Sequence, residues 1–266
     1  MKSKFLVALV SVLFVGQAAA TTANYSDFSS VAGLTLNGDA AQAGNVLRLV
    51  PSVDTKSGTG YLTTAVPLSG TTGFSTAFEF NVATATGDPT DGFTFLLQND
   101  AAGVNALGGG GQGLGYVGIS PSVAVVFRGR DPNLIGVITG GVDPAALPIP
   151  FQPAGYYASP EGAFYNQNEH AWIDYDASSN QLSVFLSTTS TKPASAIMST
   201  TVDVFGTLGS QAYVGFSAGN GGAFGSLDIL NWSFTSAVPE PETYAMMLAG
   251  LGLLGLVARR RKNIQG

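Results

Sequence analysis

Asp174 and Asp176 stand two residues apart in the run Trp172-Ile173-Asp174-Tyr175-Asp176. In a strand both carboxylates therefore project from one face. Paired carboxylates are the working groups of glycoside hydrolysis, one as acid and the other as base or nucleophile. The chain's single histidine, His170, sits beside Trp172 in the same run and reads as a structural or exposed residue rather than a base. There is no cysteine, which excludes disulfides, thiolate nucleophiles and Cys-ligated zinc. The run Gly108-Gly109-Gly110-Gly111-Gln112-Gly113 satisfies G-x-G-x-x-G through Gly108, Gly110 and Gly113. A dinucleotide site needs a helix behind such a run to receive the pyrophosphate, and no helical pattern follows it. None of these groups completes a catalytic constellation, and the expectation is a protein that is not an enzyme.

The elements that must carry these residues are strands. Charged residues make up 11% of the 266, while glycines number 35, a balance that favours short strands joined by tight turns over charge-laced helices. With 45% hydrophobic residues the chain has enough apolar surface to fold. From Tyr25 to Phe234 apolar runs of four to eight residues are separated by Gly, Pro, Asn or Asp clusters, with no sustained 3.6-residue period. Strands are expected over Val46–Val50, Phe74–Val82, Phe93–Gln98, Val123–Phe127, Ala171–Tyr175, Leu182–Leu186, Tyr213–Ser217 and Ile229–Phe234. Phe93, Phe95 and Leu97 alternate with Thr94, Leu96 and Gln98, which predicts one face markedly more apolar than the other. The pattern is that of an all-β sandwich or jelly roll, with Asp143–Pro160 as a long loop and the most mobile part.

The two ends differ from this body. Lys2 and Lys4 precede the apolar run Phe5–Val15, and Ala18-Ala19-Ala20 offers small residues to a signal peptidase, so residues 1–20 are expected to be a cleaved signal peptide. An uncleaved anchor helix is the alternative, although the apolar run is short for a bilayer span. The folded domain then covers 21–236. Of the 11 basic residues six lie in the ends, and of the 17 acidic residues two do, so this domain carries 5 against 15, a formal charge of -10. Such a surface repels phosphate backbones, and no nucleic-acid partner is expected.

Residues 237–266 form a tripartite tail: Pro239-Glu240-Pro241, an apolar helix over 243–258, and the basic cluster Arg259-Arg260-Arg261-Lys262. At ~1.5 Å per residue the helix is short for a ~30 Å hydrocarbon core unless the arginines snorkel. The positive-inside bias keeps that cluster cytoplasmic and puts the β domain outside. This arrangement resembles the PEP-CTERM sorting signal of Gram-negative bacteria. The resemblance implies an exosortase that cuts near Pro-Glu-Pro, a transient inner-membrane anchor, a final place at the envelope surface or outside the cell, and an association with exopolysaccharide. A plain anchor that is never cut is the alternative.

The body itself resembles the legume-lectin-like (L-type lectin) family over nearly its whole length. The colinear segments are Leu36-Asn37-Gly38-Asp39-Ala40, Phe74–Phe80, Asp91-Gly92-Phe93-Thr94-Phe95, Gly108–Gly115, Val123-Ala124-Val125, Trp172-Ile173-Asp174-Tyr175, Val214–Ala218 and Asp228–Phe234. The implied fold is a concanavalin-like jelly roll of two large antiparallel sheets, with sugar bound by loops at one end. By that resemblance Asp91 accepts hydrogen bonds from two sugar hydroxyls, or alternatively caps a turn. Thr90–Asp91 is expected to be a cis peptide. Gly109, Gly110 and Gly111 bring bare backbone to the sugar, Gly110 foremost. Asn133 is a further contact, and Gly221 and Gly222 form the last sugar loop, or alternatively a plain hairpin. The glutamate strand of lectin-like glucanases, Glu-x-Asp-x-x-Glu, has no counterpart here.

One departure concerns the family's calcium and manganese ions. Where the family has Val-Ala-Val-Glu-Phe-Asp and then a histidine, this chain reads Val123-Ala124-Val125-Val126-Phe127-Arg128, with Leu134 in the histidine's place. Only Asp131 survives among the charged ligands, and hard cations need several oxygens. No metal or other cofactor is expected, and Arg128 or Arg130 is a candidate to fill the cation position by pairing with Asp131 or Asp91, or else is simply solvated. The expected function is an exported, non-catalytic, carbohydrate-binding module associated with extracellular polysaccharide. The alternative is a structural matrix protein that keeps the fold without binding sugar.

Overall fold

The computed structural model describes residues 20–85, 90–129, 134–144 and 166–237, the backbone of 156–158, and Gly250. The expected signal peptide, apolar helix 243–258 and basic cluster lie outside the described residues, as do Arg130, Asp131, Asn133 and Pro239 to Pro241. Among the described residues no helix is long and apolar enough to cross a membrane.

Residues Ala20–Val238 form one compact unit. Its described strands are β1 (Thr22–Tyr25), β2 (Leu34–Gly38), β3 (Ala41–Ala43), β4 (Val46–Val50), β5 (Lys56–Leu62), β6 (Val66–Pro67), β7 (Gly73–Val82), β8 (Gly92–Gln98), β9 (Ser122–Arg128), β10 (Leu134–Thr139), β11 (Tyr156–Ala158), β12 (Asn168–Asp176), β13 (Gln181–Ser187), β14 (Met198–Thr201), β15 (Gln211–Asn220) and β16 (Leu227–Ala237). The one described α-helix, α1 (Val204–Leu208), starts at Asp203, whose side chain accepts a hydrogen bond from the Gly206 amide at 2.7 Å. All pairings among the described strands are antiparallel. One sheet runs β14-β13-β12-β7-β16-β4-β3 with β1 on β16, and the other runs β11-β10-β9-β8-β15-β5-β2 with β6 on β15.

The jelly roll follows from the alternation of apolar residues. In β7 every second side chain, Phe74, Thr76, Phe78, Phe80 and Val82, is buried between the sheets. Phe78 meets Phe216 at 5.1 Å and Phe127 at 5.8 Å edge to face, while Phe93 stacks on Phe127 at 4.6 Å. Such aromatic contacts add to the area that they remove from water. Trp232 anchors the far side, its indole donating to Thr76 Oγ1 at 2.9 Å. The domain's ends are tied together: the Thr21 amide donates to Ser236 Oγ at 2.8 Å, and the Ser236 amide to the Thr21 carbonyl at 2.9 Å.

The alternation in β8 predicts one apolar and one more polar face, yet Thr94, Leu96 and Gln98 are as buried as Phe93, Phe95 and Leu97. The loops from Ala106 to Ile119 fold over the outer face of this sheet and form a second apolar cluster with Tyr61, Leu96, Ala124, Val126 and Ile138. The polar members of β8 are paired rather than wet, Thr94 with Ser217 at 2.7 Å and Gln98 with the Gly103 carbonyl at 2.8 Å. Within the expected loop Asp143–Pro160, Tyr156–Ala158 is a strand that pairs with Leu134–Gly136 of β10.

Candidate functional site: a buried aspartate under two glycine loops

Asp91 opens β8 at the end of the sandwich where β7 and β15 finish and β16 begins. Its backbone is tied on both sides. The Asp91 carbonyl accepts the Gly129 amide at 3.0 Å, and Thr90 Oγ1 donates to the Gly219 carbonyl at 3.4 Å. The next residue must be glycine: Gly92 has φ 128°, and a Cβ there would lie 2.2 Å from the Phe127 carbonyl oxygen. The expected cis bond at Thr90–Asp91 is not found; the cis peptide among the described residues is Ser120–Pro121, and the sharp backbone step falls on Gly92 instead.

Two glycine loops converge on the Asp91 carboxylate, which is only 5% exposed. The short 3-10 turn Gly111–Gly113 places Gly111, at φ 56°, so that a Cβ would stand 3.9 Å from Asp91 Oδ2. From the other side, a Cβ on Gly221 would stand 3.3 Å from the same oxygen and 3.8 Å from Gly111 Cα. Gly219 closes the arrangement, because its missing side chain leaves room for the Gly111 backbone. Asp91, Gly111 and Gly221 are thus adjacent in space although 130 residues separate the first from the last. Gly222 borders open space.

Other expected residues are placed differently. Gly109 is bridged to Val117, its amide donating at 3.0 Å, and serves the loop's own fold. The Gly110 Cβ position faces Ser57 and the Lys56 carbonyl, so this glycine lets the loop close onto β5 rather than opening toward Asp91. Sequence reasoning missed two supports. Asn220 is fully buried, accepts the Lys56 amide at 3.0 Å and donates to the carbonyls of Pro51 and Gly225, which fixes the start of the Gly221-Gly222 loop. Lys56 pairs with Asp39 at 3.1 Å beside the same end. An asparagine next to glycines signals a turn in sequence, and its buried bonding across three segments leaves no local mark.

Val126, in the family's glutamate place, is fully buried in the second apolar cluster, against which Leu134 packs. Arg128 is opposite Leu134 in β10 and opposite Gly92 in β8. From Val126 to Gly136 the sequence holds one carboxylate, two guanidinium groups and no imidazole. Among the described residues no three metal-ligating side chains gather. The donor set does not fit a pair of divalent cations.

Asp174 and Asp176 do share a face, yet each is occupied structurally. Asp174 pairs with Lys192. Asp176 accepts from Ser178 and Ser179, and those hydrogen bonds hold its carboxyl below the usual carboxylate range. A glycosidase acid needs the opposite shift.

Fold and loop cluster together define a lectin-type jelly roll. The Legume lectin domain profile matches residues 20–125 and 159–248, and the chain belongs to that family. The unmatched interval, residues 126–158, contains Val126, Arg128 and Leu134. Residues 237–262 match the PEP-CTERM protein-sorting motif, the mark of an exported, surface-sorted protein. Lectin 10 of Medicago truncatula is 30% identical over 240 residues, covering 76% of this chain and 78% of that protein. The L-type lectin-domain containing receptor kinase SIT1 of Oryza sativa subsp. japonica is 26% identical over 212 residues, covering 72% of this chain. This chain spans about a third of the length of the receptor kinases it matches. Among solved structures, basic winged bean lectin with Tn-antigen superposes with a TM-score of 0.68 at 25% identity, over 84% of this chain and all of that one.

Proposed function

We propose that this protein is an exported, non-catalytic glycan-binding module that works without a divalent metal. The observation that carries the reading is that two separate loops each place a glycine, Gly111 and Gly221, against Asp91 Oδ2, so that backbone and no side chain borders the carboxylate on both sides. An ionised carboxylate accepts up to four hydrogen bonds and receives two vicinal hydroxyls of a sugar, while bare backbone amides of the glycine loops donate to ring and hydroxyl oxygens. The family's metals fix the aspartate and its neighbouring loop; here the Gly129–Asp91 and Thr90–Gly219 hydrogen bonds and the packing of Val126 supply rigidity from within the chain. Asn133 belongs to the proposed contact set by resemblance.

The sorting motif supports a setting outside the cell, with signal peptidase and exosortase as processing enzymes, a transient anchor in the inner membrane through residues 243–258, and extracellular polysaccharide as the natural ligand. The altered metal strand favours a second reading, a matrix protein that retains the fold without sugar binding. A glycan array with the full-length protein, run with and without chelator and alongside Asp91→Ala, separates them. Chelator-insensitive binding lost in Asp91→Ala supports the module. Absence of binding to every glycan, including the producing cell's own polysaccharide, leaves the structural role.

A further inference from the structure

On the outer face of the sheet containing β7, β12, β13 and β16, away from the Asp91 loops, the strand register assembles a flat row: Phe185, Trp172, Ala77 and Ser233 lie opposite one another across four strands. Trp172 and Phe185 are partly exposed, whereas Trp232 and the phenylalanines of the core are 3% exposed or less. His170 lies alongside Trp172, ring centroids 6.1 Å apart and planes 24° apart, extending the aromatic surface. Lys192 lies 4.2 Å over the Phe185 ring and pairs with Asp174, so it caps that ring, closes this end of the row and leaves Trp172 as its open aromatic. Small residues at 77 and 233 keep the row level beside the indole.

The rows on either side are polar. One is Ser187, His170, Glu79 and Asn231, and the other is Ser183, Asp174, Ser75 and Thr235. Asn231 donates to Glu79 Oε2 at 2.7 Å and Asn168 to Glu79 Oε1 at 2.8 Å, while Asn81 donates to Asn168 at 2.8 Å. These bonds form a ladder that runs from the aromatic row toward the end of the sandwich that carries Asp91. Neighbouring strands lie ~4.8 Å apart, so the row is about 14 Å long, more than one sugar ring.

We infer that this face is a second, independent binding site, for the flat C–H faces of an uncharged polysaccharide. A pyranose ring offers polarised C–H bonds on its face and hydroxyls around its rim, and the aromatic row with its amide, hydroxyl and carboxylate borders offers the complement. Charge selects the occupant. The face carries Glu79, Asp174, Asp176 and Asp228 against Lys192 and Arg48, the last paired with Asp228 at 2.7 Å, within a domain of formal charge -10. It therefore repels both a second copy of itself and a uronate-type polymer, and leaves a neutral glycan chain as the partner that meets no electrostatic penalty. The site does not depend on Asp91.

The chain's two tryptophans make a direct test, since Trp232 is 1% exposed and only Trp172 is open to an aqueous quencher. Iodide quenching of the full-length protein is measured with hydroxyethyl cellulose or galactomannan as neutral polymers and alginate as the anionic one. Neutral polymer is expected to protect Trp172 from iodide and alginate to leave it exposed. In affinity electrophoresis Trp172→Ala is expected to lose about tenfold in affinity for the neutral polymer, while Val142→Ser, at an exposed position just after β10 in the other sheet, retains it. Absence of protection in the wild type, retention of full affinity by Trp172→Ala, or equal loss in Val142→Ser overturns the proposal. Protection that rises with protein concentration alone, with a dimer in sedimentation, overturns it in favour of a second copy on this face.

Discussion

Gly221→Ala should weaken sugar binding at the Asp91 site by one to two orders of magnitude while leaving the fold almost untouched. Gly221 is not in the left-handed region, so alanine meets no backbone strain, and replacing glycine there restricts the unfolded chain by about 0.4–1 kcal/mol. The added methyl stands 3.3 Å from Asp91 Oδ2 and 3.8 Å from Gly111 Cα, a tight but tolerable contact at the rim of a loop. It covers the carboxylate oxygen that a hydroxyl must reach. Losing one hydrogen bond to a charged group costs about 1.5–3 kcal/mol, which corresponds to roughly a tenfold to 150-fold weaker affinity. One kcal/mol corresponds to about 2–4 °C for a domain of this size, so the melting temperature should stay within ~3 °C of wild type. Titration calorimetry with the best array ligand reads the affinity, and scanning calorimetry reads the fold. A folded Gly221→Ala protein that binds as tightly as wild type would refute the placement of sugar over Asp91. Gly219→Ala provides the contrast, because its Cβ would fall 2.7 Å from the Gly111 carbonyl oxygen and should destabilise the domain as well as the site.

Gly92→Ala should destabilise by several kcal/mol, since it combines φ 128° with a 2.2 Å approach to Phe127, and urea unfolding would show it. Phe93→Ala removes a fully buried ring stacked on Phe127 and should cost about 3–5 kcal/mol in the same assay. Tyr61 is fully buried, burial pushes its hydroxyl's pKa up from 10.0 against a smaller opposing effect of the Thr59 side chain, and that oxygen makes no well-formed hydrogen bond among the described residues. A tyrosine whose folded pKa is raised keeps its full contribution below the unfolded value of 10.0 and loses it as pH climbs toward the folded value. Stability should therefore fall above about pH 10 in wild type and fall less steeply in Tyr61→Phe, which at pH 7 should be as stable as wild type or more so. Chelation with EDTA should leave the melting temperature unchanged, and elemental analysis of the purified protein should find no stoichiometric calcium or manganese; a stabilising metal at one or two per chain contradicts the reading of Val126 and Arg128.

How much of this was legible depends on whether the signal was local. Strand identity was, because alternation in Phe74–Val82 and Leu182–Leu186 directly reports a buried face, and the structure extends those runs by only a residue or so at either end. The second apolar cluster was not, since Leu96 and Val126 are covered by the distant loops from Ala106 to Ile119, and no periodicity within β8 announces that cover. At the site, Asp91 and the glycine runs stood out by composition and by family resemblance. Which glycine faces the carboxylate did not, because Gly110 and Gly111 differ in the direction of a missing side chain, something only the turn Gly111–Gly113 settles. The aromatic row of Phe185, Trp172 and Ala77 was invisible for a similar reason: it exists through the register of three strands, and each residue alone is an ordinary outward position.

The sugar site proposed on Asp91 is independent of metal. Its most direct test is a calorimetric titration of the purified full-length protein with its best array ligand, first in EDTA and then in excess calcium and manganese, repeated with Asp91→Asn. Equal affinity in both buffers, with no measurable binding by Asp91→Asn, is the predicted result. Binding that appears only when the metals are added, or that survives Asp91→Asn undiminished, would contradict it.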